Sequence, residues 1–160
     1  MSIFSLDPYN DEHLERIIAF EEENNCLDKP SSYIKKIRET ISKEDYYDAN
    51  KYEFEEILFT EKNNKITDCC YIHGEKDIKK CYLTPINMSN KNKRRDLPEL
   101  ATNYALDTLG MEEVFVNINE DDNNLITNLE LKGFENLGEE NGKILLLKEK
   151  EEKENSQRMI

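Results

Sequence analysis

A basic segment at residues 89–95 is the strongest chemical signal in the sequence. Ser89-Asn90-Lys91-Asn92-Lys93-Arg94-Arg95 carries four cationic side chains. It stands directly before Asp96-Leu97-Pro98-Glu99, which has the pattern of a capping box with proline in the first turn of a helix. The free N–H groups and the positive dipole end of a helix N-terminus bind anions. The segment is therefore a candidate phosphate site, and a solvated basic loop is the alternative.

The rest of the chain is acidic, so this segment is an exception. The 160 residues include 22 Lys and Arg against 35 Asp and Glu, which gives a formal net charge of -13. Such a field repels nucleic acid and anionic membranes over most of the surface. No apolar run approaches the roughly 20 residues of a membrane span, and the N-terminus lacks the pattern of a signal peptide. We therefore expect a cytoplasmic protein that binds neither nucleic acid nor membrane.

Other reactive side chains form no recognisable catalytic or metal motif. Four cysteines lack zinc-like spacing, and only two histidines accompany them. We expect reduced, buried or half-buried thiols and no metal site. Cys69 and Cys70 are adjacent in a predicted strand, so they should point to opposite faces. His73, at the end of that strand, could act as a general base, although a surface or satisfied histidine is more common.

The order of predicted elements indicates an α+β fold. Periodicity and turn residues predict the order β-α-α-β-β-β-α-β-α-β. The strands are predicted at residues 2–6, 54–60, 66–73, 78–88, 114–118 and 143–147. Asp11 is predicted to be the N-cap of the first helix, and the other helices are predicted to start near Pro30, at Asp96 and at Leu125. Residues 43–53 show no period and are predicted to be a loop. Hairpins in the middle and helical crossovers afterwards indicate a mixed, mainly antiparallel central sheet with flanking helices.

The domain is predicted to cover residues 1–148, and residues 149–160 are predicted to be a charged, frayed or disordered tail.

The second half of the domain has a characteristic order of elements and a characteristic helix ending. The strand at 78–88 leads through the basic segment into a helix, then a strand, then a short helix that ends in Gly-Phe. Leu129-Glu130-Leu131-Lys132-Gly133-Phe134 is similar to a Tyr-x-Lys-x-Gly-Phe ending. On these residues the chain resembles the GNAT N-acetyltransferase superfamily over residues 78–147.

The resemblance implies an acetyl-CoA-dependent N-acetyltransferase in which an amine attacks the thioester directly within a ternary complex. It implies cofactor contacts from Ile86, Met88, Lys91, Lys93, Arg94, Arg95, Asp96, Leu97 and Asn123. It also implies that two parallel strands splay apart beside the basic segment, where backbone amides around residues 86–88 stabilise the oxyanion. The candidate bases are His73 and Glu56, and more weakly Tyr82. The amine acceptor is not identified, and a homodimer is compatible with the sequence.

Two departures from the family leave other functions open. All five glycines lie outside the basic segment, so lysine and arginine side chains would hold a pyrophosphate in place of a tight amide nest. The family's asparagine near the last turn falls on Asp122, and its general-acid tyrosine falls on Leu129, which cannot donate a proton. One alternative is a catalytically degenerate GNAT-fold protein that acts as a binding or regulatory module. Another is an unrelated α+β domain, which predicts no open cleft between the strands at 78–88 and 114–118.

Overall fold

A computed structural model describes residues 2–86 and 96–151, which form one mixed sheet with helices on both faces. The elements in these residues are β1 (Ile3–Ser5), α1 (Asp11–Asn24), α2 (Pro30–Thr40), α3 (Lys43–Ala49), β2 (Glu53–Lys62), β3 (Lys65–Glu75), β4 (Lys80–Pro85), α4 (Leu97–Asp107), β5 (Glu113–Asn119), α5 (Asn123–Leu131), β6 (Glu135–Glu140) and β7 (Lys143–Glu149). The described strands form a seven-stranded sheet in the order β1-β2-β3-β4-β5-β7-β6. β4 and β5 are parallel, and the other neighbouring pairs are antiparallel. The predicted α+β architecture is confirmed.

The observed N-terminal capping of α1 and α4 differs from that predicted. Asn10 caps α1, because its side chain accepts a hydrogen bond from the His13 amide at 3.1 Å; the predicted cap at Asp11 is wrong by one residue. The capping box predicted for α4 is also wrong in part. Pro98 does lie in the first turn of that helix, but the Asp96 side chain makes no capping hydrogen bond.

The start of α2 is capped from another helix. Lys29 precedes α2 and provides no side-chain cap. The carboxylate of Glu21 in α1 instead accepts hydrogen bonds from the amide and the hydroxyl of Ser31, both at 2.6 Å. Glu21 is only 4% exposed. The contact therefore joins α1 to the free amides of α2 inside the protein, where such amides need a partner.

Two elements were absent from the prediction, and one strand is shorter than predicted. Residues 43–53 are not a loop throughout, since they contain α3, which Ser42 caps through the Asp45 amide at 3.2 Å. β6 follows α5 and is exposed along its whole length. β4 begins at Lys80, two residues later than predicted. Ile78 lies in the preceding turn and is exposed. The last two residues of the predicted strand, 87 and 88, lie outside the described residues.

The sheet carries one hydrophobic core on each face. On the face covered by α4 and α5, the core includes Cys70, Leu83 and Val116. On the face covered by α1 and α2, it includes Cys69 and Ile86. The adjacent cysteines thus lie on opposite faces as predicted, and all four cysteines are free and buried. In the following sections these two sides are called the α4 face and the α2 face.

The C-terminal strand closes the described part of the chain. β7 ends at Glu149, one residue past the predicted domain end, and residues 152–160 of the predicted tail lie outside the described residues. No helix in residues 2–86 or 96–151 is long and apolar enough to cross a membrane.

Candidate functional site

The parallel strands β4 and β5 stop pairing before either strand ends. Their register runs from Lys80 opposite Glu113 to Leu83 opposite Val116, and within the described residues it goes no further. The next residues of β4, Thr84 and Pro85, remain paired with β3, and residues 117–119 of β5 remain paired with β7. Each strand is therefore held on its outer side alone. We call the opening beyond the Leu83–Val116 pair the β4–β5 gap.

The end of β4 supplies fewer free amides to this gap than the sequence predicted. Pro85 has no N–H group, and Ile86 donates its N–H to the Cys69 carbonyl of β3 at 3.3 Å. The side chain of Ile86 is 1% exposed and packs in the core of the α2 face. An oxyanion donor in this strand would have to follow residue 86, and Met88 lies outside the described residues.

Two helices follow the separated strands in the chain, α4 after β4 and α5 after β5. α4 begins at Leu97, whose side chain is buried in the core of the α4 face, and α5 begins at Asn123, whose side chain is exposed. Helix starts of this kind can receive anions. Asp96 immediately precedes α4 and is half-buried. The predicted cationic contacts Lys91, Lys93, Arg94 and Arg95 lie outside the described residues.

The two predicted bases lie on opposite faces of the sheet. Glu56 is opposite Ile72 in the β2–β3 register, and His73 is opposite Glu55. Ile72 belongs to the core of the α4 face, so Glu56 is on that face and His73 is on the α2 face. Glu56 accepts a hydrogen bond from the Ser5 hydroxyl at 3.0 Å. The structure therefore does not bring Glu56 and His73 into one site.

His73 belongs to a stack of three rings on the α2 face. The imidazole lies 5.2 Å from the Tyr82 ring with an interplanar angle of 15°. Tyr82 in turn lies 4.9 Å from the Phe115 ring at 17°. Tyr82 is 38% exposed and stands one position before the last β4–β5 pair. The stack therefore crosses from β3 over β4 to β5 and ends one position before the β4–β5 gap.

A groove lined by tyrosine and glutamate adjoins this stack. It consists of two pockets of about 690 Å³ and about 330 Å³. Both pockets are lined by Glu53, Glu55 and Glu75, and we call the combined space the tyrosine groove. The larger pocket also contacts Tyr33, Ile37, Ile41, Tyr46, Ala49, Asn50, Tyr52, Lys76 and Asp77, and the smaller one contacts Phe54, His73, Gly74, Ile78, Lys80 and Tyr82.

Two tyrosines hold Glu55 in place within the groove. The Tyr33 hydroxyl donates to the Glu55 carboxylate at 2.7 Å, and the Tyr46 hydroxyl donates to the Glu55 backbone carbonyl at 3.0 Å. Burial, followed by the bond to Glu55, raises the pKa of Tyr33 above its usual range. Burial also raises the pKa of Tyr46 to about 12. Both hydroxyls therefore stay protonated and act as donors at neutral pH.

The likeness to known proteins is visible in the structure. No protein-family model matches the chain, and no curated protein matches it in sequence. Solved structures of N-acetyltransferases match over almost its full length. Campylobacter jejuni PseH in complex with acetyl coenzyme A has a TM-score of 0.58 and 11% identity, with 94% of this chain and 99% of that chain covered.

Two further structures extend the likeness. Mutant forms of the spermidine/spermine N-acetyltransferase SpeG from Vibrio cholerae have a TM-score of 0.61 and 12% identity, with 97% of this chain and 98% of that chain covered. PaiA N-acetyltransferase from Thermoplasma acidophilum in complex with coenzyme A has a TM-score of 0.56 and 14% identity, with coverages of 93% and 99%. The chain has the GNAT fold. At these identities the likeness concerns the fold, and it confirms the resemblance seen in residues 78–147.

Within this GNAT fold, the position of the family's tyrosine is closed. Leu129 is 1% exposed and packs in the core of the α4 face. It is therefore neither a proton donor nor a side chain that reaches solvent. Asp122, at the position of the family's asparagine, precedes α5 and forms no side-chain cap. Leu129 and Asp122 are the positions on which the resemblance places the family's tyrosine and asparagine, and that correspondence stays a prediction.

The tyrosine groove was missed in the sequence analysis because it is assembled from separate segments. Tyr33 comes from α2, Tyr46 from α3, and Glu55 and Glu75 from two strands. The available signal was the alternation of Glu53 and Glu55 at the start of β2, where a strand that faces only a core would carry apolar residues.

Proposed function

We propose that this chain is an acyl-CoA-dependent N-acyltransferase that transfers an acetyl group from acetyl-CoA to an amine. The observation that carries the proposal is the β4–β5 gap, where the pairing stops at Leu83 and Val116 although both strands continue. In the GNAT family that the chain resembles, the thioester reacts between two such strands. The complexes of PseH with acetyl coenzyme A and of PaiA with coenzyme A support the same use of the fold.

The proposed cofactor contacts are those that the resemblance to the GNAT family implies. The pyrophosphate would be held by the side chains of Lys91, Lys93, Arg94 and Arg95, because charge-assisted hydrogen bonds replace the missing glycine nest. The backbone at Asp96 and Leu97 would contribute the start of α4. Asn123 would contribute the start of α5. Met88 would flank the acyl arm, and Ile86, which is buried and bonded to β3, would hold the end of β4 in position beside it.

The proposed reaction is a direct transfer. The unprotonated amine attacks the thioester carbonyl carbon, the tetrahedral oxyanion collapses, the C–S bond breaks, and coenzyme A leaves as a thiolate. Because Leu129 has no acidic proton, water protonates the thiolate. The attacking nitrogen must lose a proton, and His73 is our proposed acceptor because it lies on the α2 face in the ring stack that ends one position before the gap. Glu56, on the α4 face, is the alternative base.

The cofactor part is tested by thermal-shift titration with acetyl-CoA. A ligand present at 100 times its Kd stabilises the native state by roughly 2.7 kcal/mol, which is a readily measured rise in Tm. The double variant Lys93→Ala/Arg94→Ala should lose most of the shift. The matched control is Lys35→Ala/Lys36→Ala, which removes two exposed cations from α2 and should retain it. No stabilisation at millimolar acetyl-CoA contradicts the proposal.

The catalytic part is tested by the release of coenzyme A thiol in the presence of a panel of amines. His73→Ala should lower kcat more than it changes KM, because the variant has lost the group that accepts the proton of the attacking nitrogen. If Glu56→Gln lowers kcat and His73→Ala does not, the base is on the α4 face.

A second function is supported by two observations. Leu129 is buried where the family has a proton donor, and the Ile86 amide is already bonded to Cys69. A chain of this kind could use the GNAT fold as a binding or regulatory module. Acetyl-CoA binding without thiol release for any amine in the panel is the result expected from such a module, and thioester turnover excludes it.

A further inference from the structure

We propose that the tyrosine groove binds the acyl acceptor, and that this acceptor is a flexible amine with at least two positive charges about 10–14 Å apart. The inference rests on the proposed acyltransfer, since it names the substrate class of that reaction. It is carried by the size of the groove and by the combination of aromatic rings and carboxylates that lines it. A groove of about 690 Å³ with an adjoining pocket of about 330 Å³ lies within the size range of small-molecule sites.

The aromatic lining fits an organic cation better than a metal ion. Tyr33 stands edge-on to Tyr71 at 5.8 Å, and Tyr82 presents a partly exposed ring between His73 and Phe115. Ring faces attract ammonium groups, and rings also pack against methylene chains. A bare metal ion has no methylene chain that could pack against these rings. An aliphatic amine gains from both of its parts.

The charges of the groove favour a polycation over a neutral or anionic acceptor. Glu53 and Glu75 stand directly opposite each other in the β2–β3 register, an arrangement that costs stability in the free protein. Within the described residues, neither Glu53 nor Glu75 takes part in a salt bridge. Lys76 and Lys80 also line the groove, but Lys80 is paired with Glu113 at 3.5 Å. An ammonium group placed between Glu53 and Glu75 would relieve their repulsion.

The strand register sets the separation of the two charges. From the level of Glu75 and Lys80 to the level of Leu83 there are three residues of β4, or about 10 Å at a rise of roughly 3.4 Å per residue. The gap lies between β4 and β5, about 7 Å sideways from β3 at a strand spacing of roughly 4.8 Å. The direct distance is therefore about 12 Å from the backbone of Glu75, and about 14 Å from the midpoint between Glu53 and Glu75. One amine can lie at Glu53 and Glu75 while the other reaches the thioester in the β4–β5 gap.

The binding test uses isothermal titration calorimetry without acetyl-CoA. The probes are octamethylenediamine, whose nitrogens span about 11 Å, tetramethylenediamine, which is too short, and n-octylamine, which has the same chain and a single charge. We expect octamethylenediamine to bind at least 10-fold more tightly than either of the other two. Equal affinity for all three probes overturns the inference, because it shows that neither length nor the second charge is recognised.

Matched variants distinguish binding by the carboxylates of the groove from binding by the overall negative charge of the protein. Glu53→Gln/Glu75→Gln should weaken octamethylenediamine binding at least 10-fold. The control Glu135→Gln/Glu139→Gln removes the same charge from exposed positions of β6 and should leave the affinity unchanged. An equal loss in both double variants would assign the binding to the general field and overturn the inference. Tyr82→Leu keeps every carboxylate and should weaken binding through the lost ring.

The outcomes also separate this inference from the proposed function. Stabilisation by acetyl-CoA with no binding of octamethylenediamine keeps the proposed function and overturns the inference. Binding of octamethylenediamine with no stabilisation by acetyl-CoA supports the ligand class of the groove and contradicts the acyltransferase. When both bind, thiol release should be at least 10-fold faster with octamethylenediamine than with n-octylamine, and a rate that favours n-octylamine overturns the assignment as acceptor.

Discussion

Replacing Glu21 by alanine should destabilise the folded protein by about 2–4 kcal/mol. The carboxylate is almost fully buried and accepts two hydrogen bonds of 2.6 Å from Ser31 at the start of α2. Hydrogen bonds to a charged group contribute roughly 1.5–3 kcal/mol each. Part of this sum is offset, because the variant no longer has to desolvate a carboxylate. The remaining cost reflects the Ser31 amide and hydroxyl, which lose their partner inside the protein.

The measurement is urea unfolding at neutral pH, followed by circular dichroism. Glu22→Ala is the control, because it makes the same substitution at the next, exposed position of the same helix. Glu21→Gln keeps the shape and one acceptor oxygen, so about 1–2 kcal/mol should be lost as the charge disappears. The double cycle with Ser31→Ala should give a coupling energy of about 0.5–3 kcal/mol. If Glu21→Ala and Glu22→Ala differ by less than about 0.5 kcal/mol, α2 does not depend on this cap and the reasoning is refuted.

Three further predictions concern the sheet and the thiols. Gly74→Ala should lower stability by about 1–3 kcal/mol, because a Cβ there would lie 2.6 Å from a backbone carbonyl oxygen of β4; a gain in Tm would contradict this packing. Glu53→Gln should raise the free energy of unfolding by about 0.2–1 kcal/mol, since it removes the repulsion from Glu75. An unchanged or lower free energy in urea unfolding would show that the two carboxylates do not repel each other. Burial, followed by the Glu21 charge, raises the pKa of Cys26 from 9.0 to about 11, so alkylation of Cys26 at pH 8 should be about 100-fold slower in the native than in the unfolded protein.

Most of the helices and strands could be predicted from the sequence, because turn and capping residues mark their ends locally. Pro98 marks the first turn of α4, and the polar turn at residues 61–65 marks the β2–β3 hairpin. α3 and β6 lack such local signals and could not be predicted. α3 buries a single residue, Tyr46, in seven, and β6 buries none in six. Neither element presents a face with a hydrophobic period, so its position depends on tertiary contacts such as the bond from Tyr46 to Glu55.

The candidate site could not be assembled from sequence because one bulge decides which side chains share a face. Asn63 and Asn64 both have positive φ and form a two-residue turn between Lys62 and Lys65. Continued without interruption, that register would place Glu56 opposite Tyr71, on the same face as His73. The structure instead has an irregularity after Thr60, where Thr67 is the extra residue of β3. A shift by one residue moves every side chain of a strand to the other face.

The hydrophobic pattern of β2 cannot reveal this shift, because the strand is buried on both faces. Residues 57–60 are all buried, so exchanging the two faces would still place an apolar side chain in each core. The discrimination comes from polar contacts at the two ends. Thr60 and Thr67 are joined through their hydroxyls at 2.8 Å beside the bulge, and Glu55 is bonded to Tyr33 at the far end. Both contacts fit the observed register, and the second of them also lines the tyrosine groove, so β2 and the proposed acceptor site share the Tyr33–Glu55 contact.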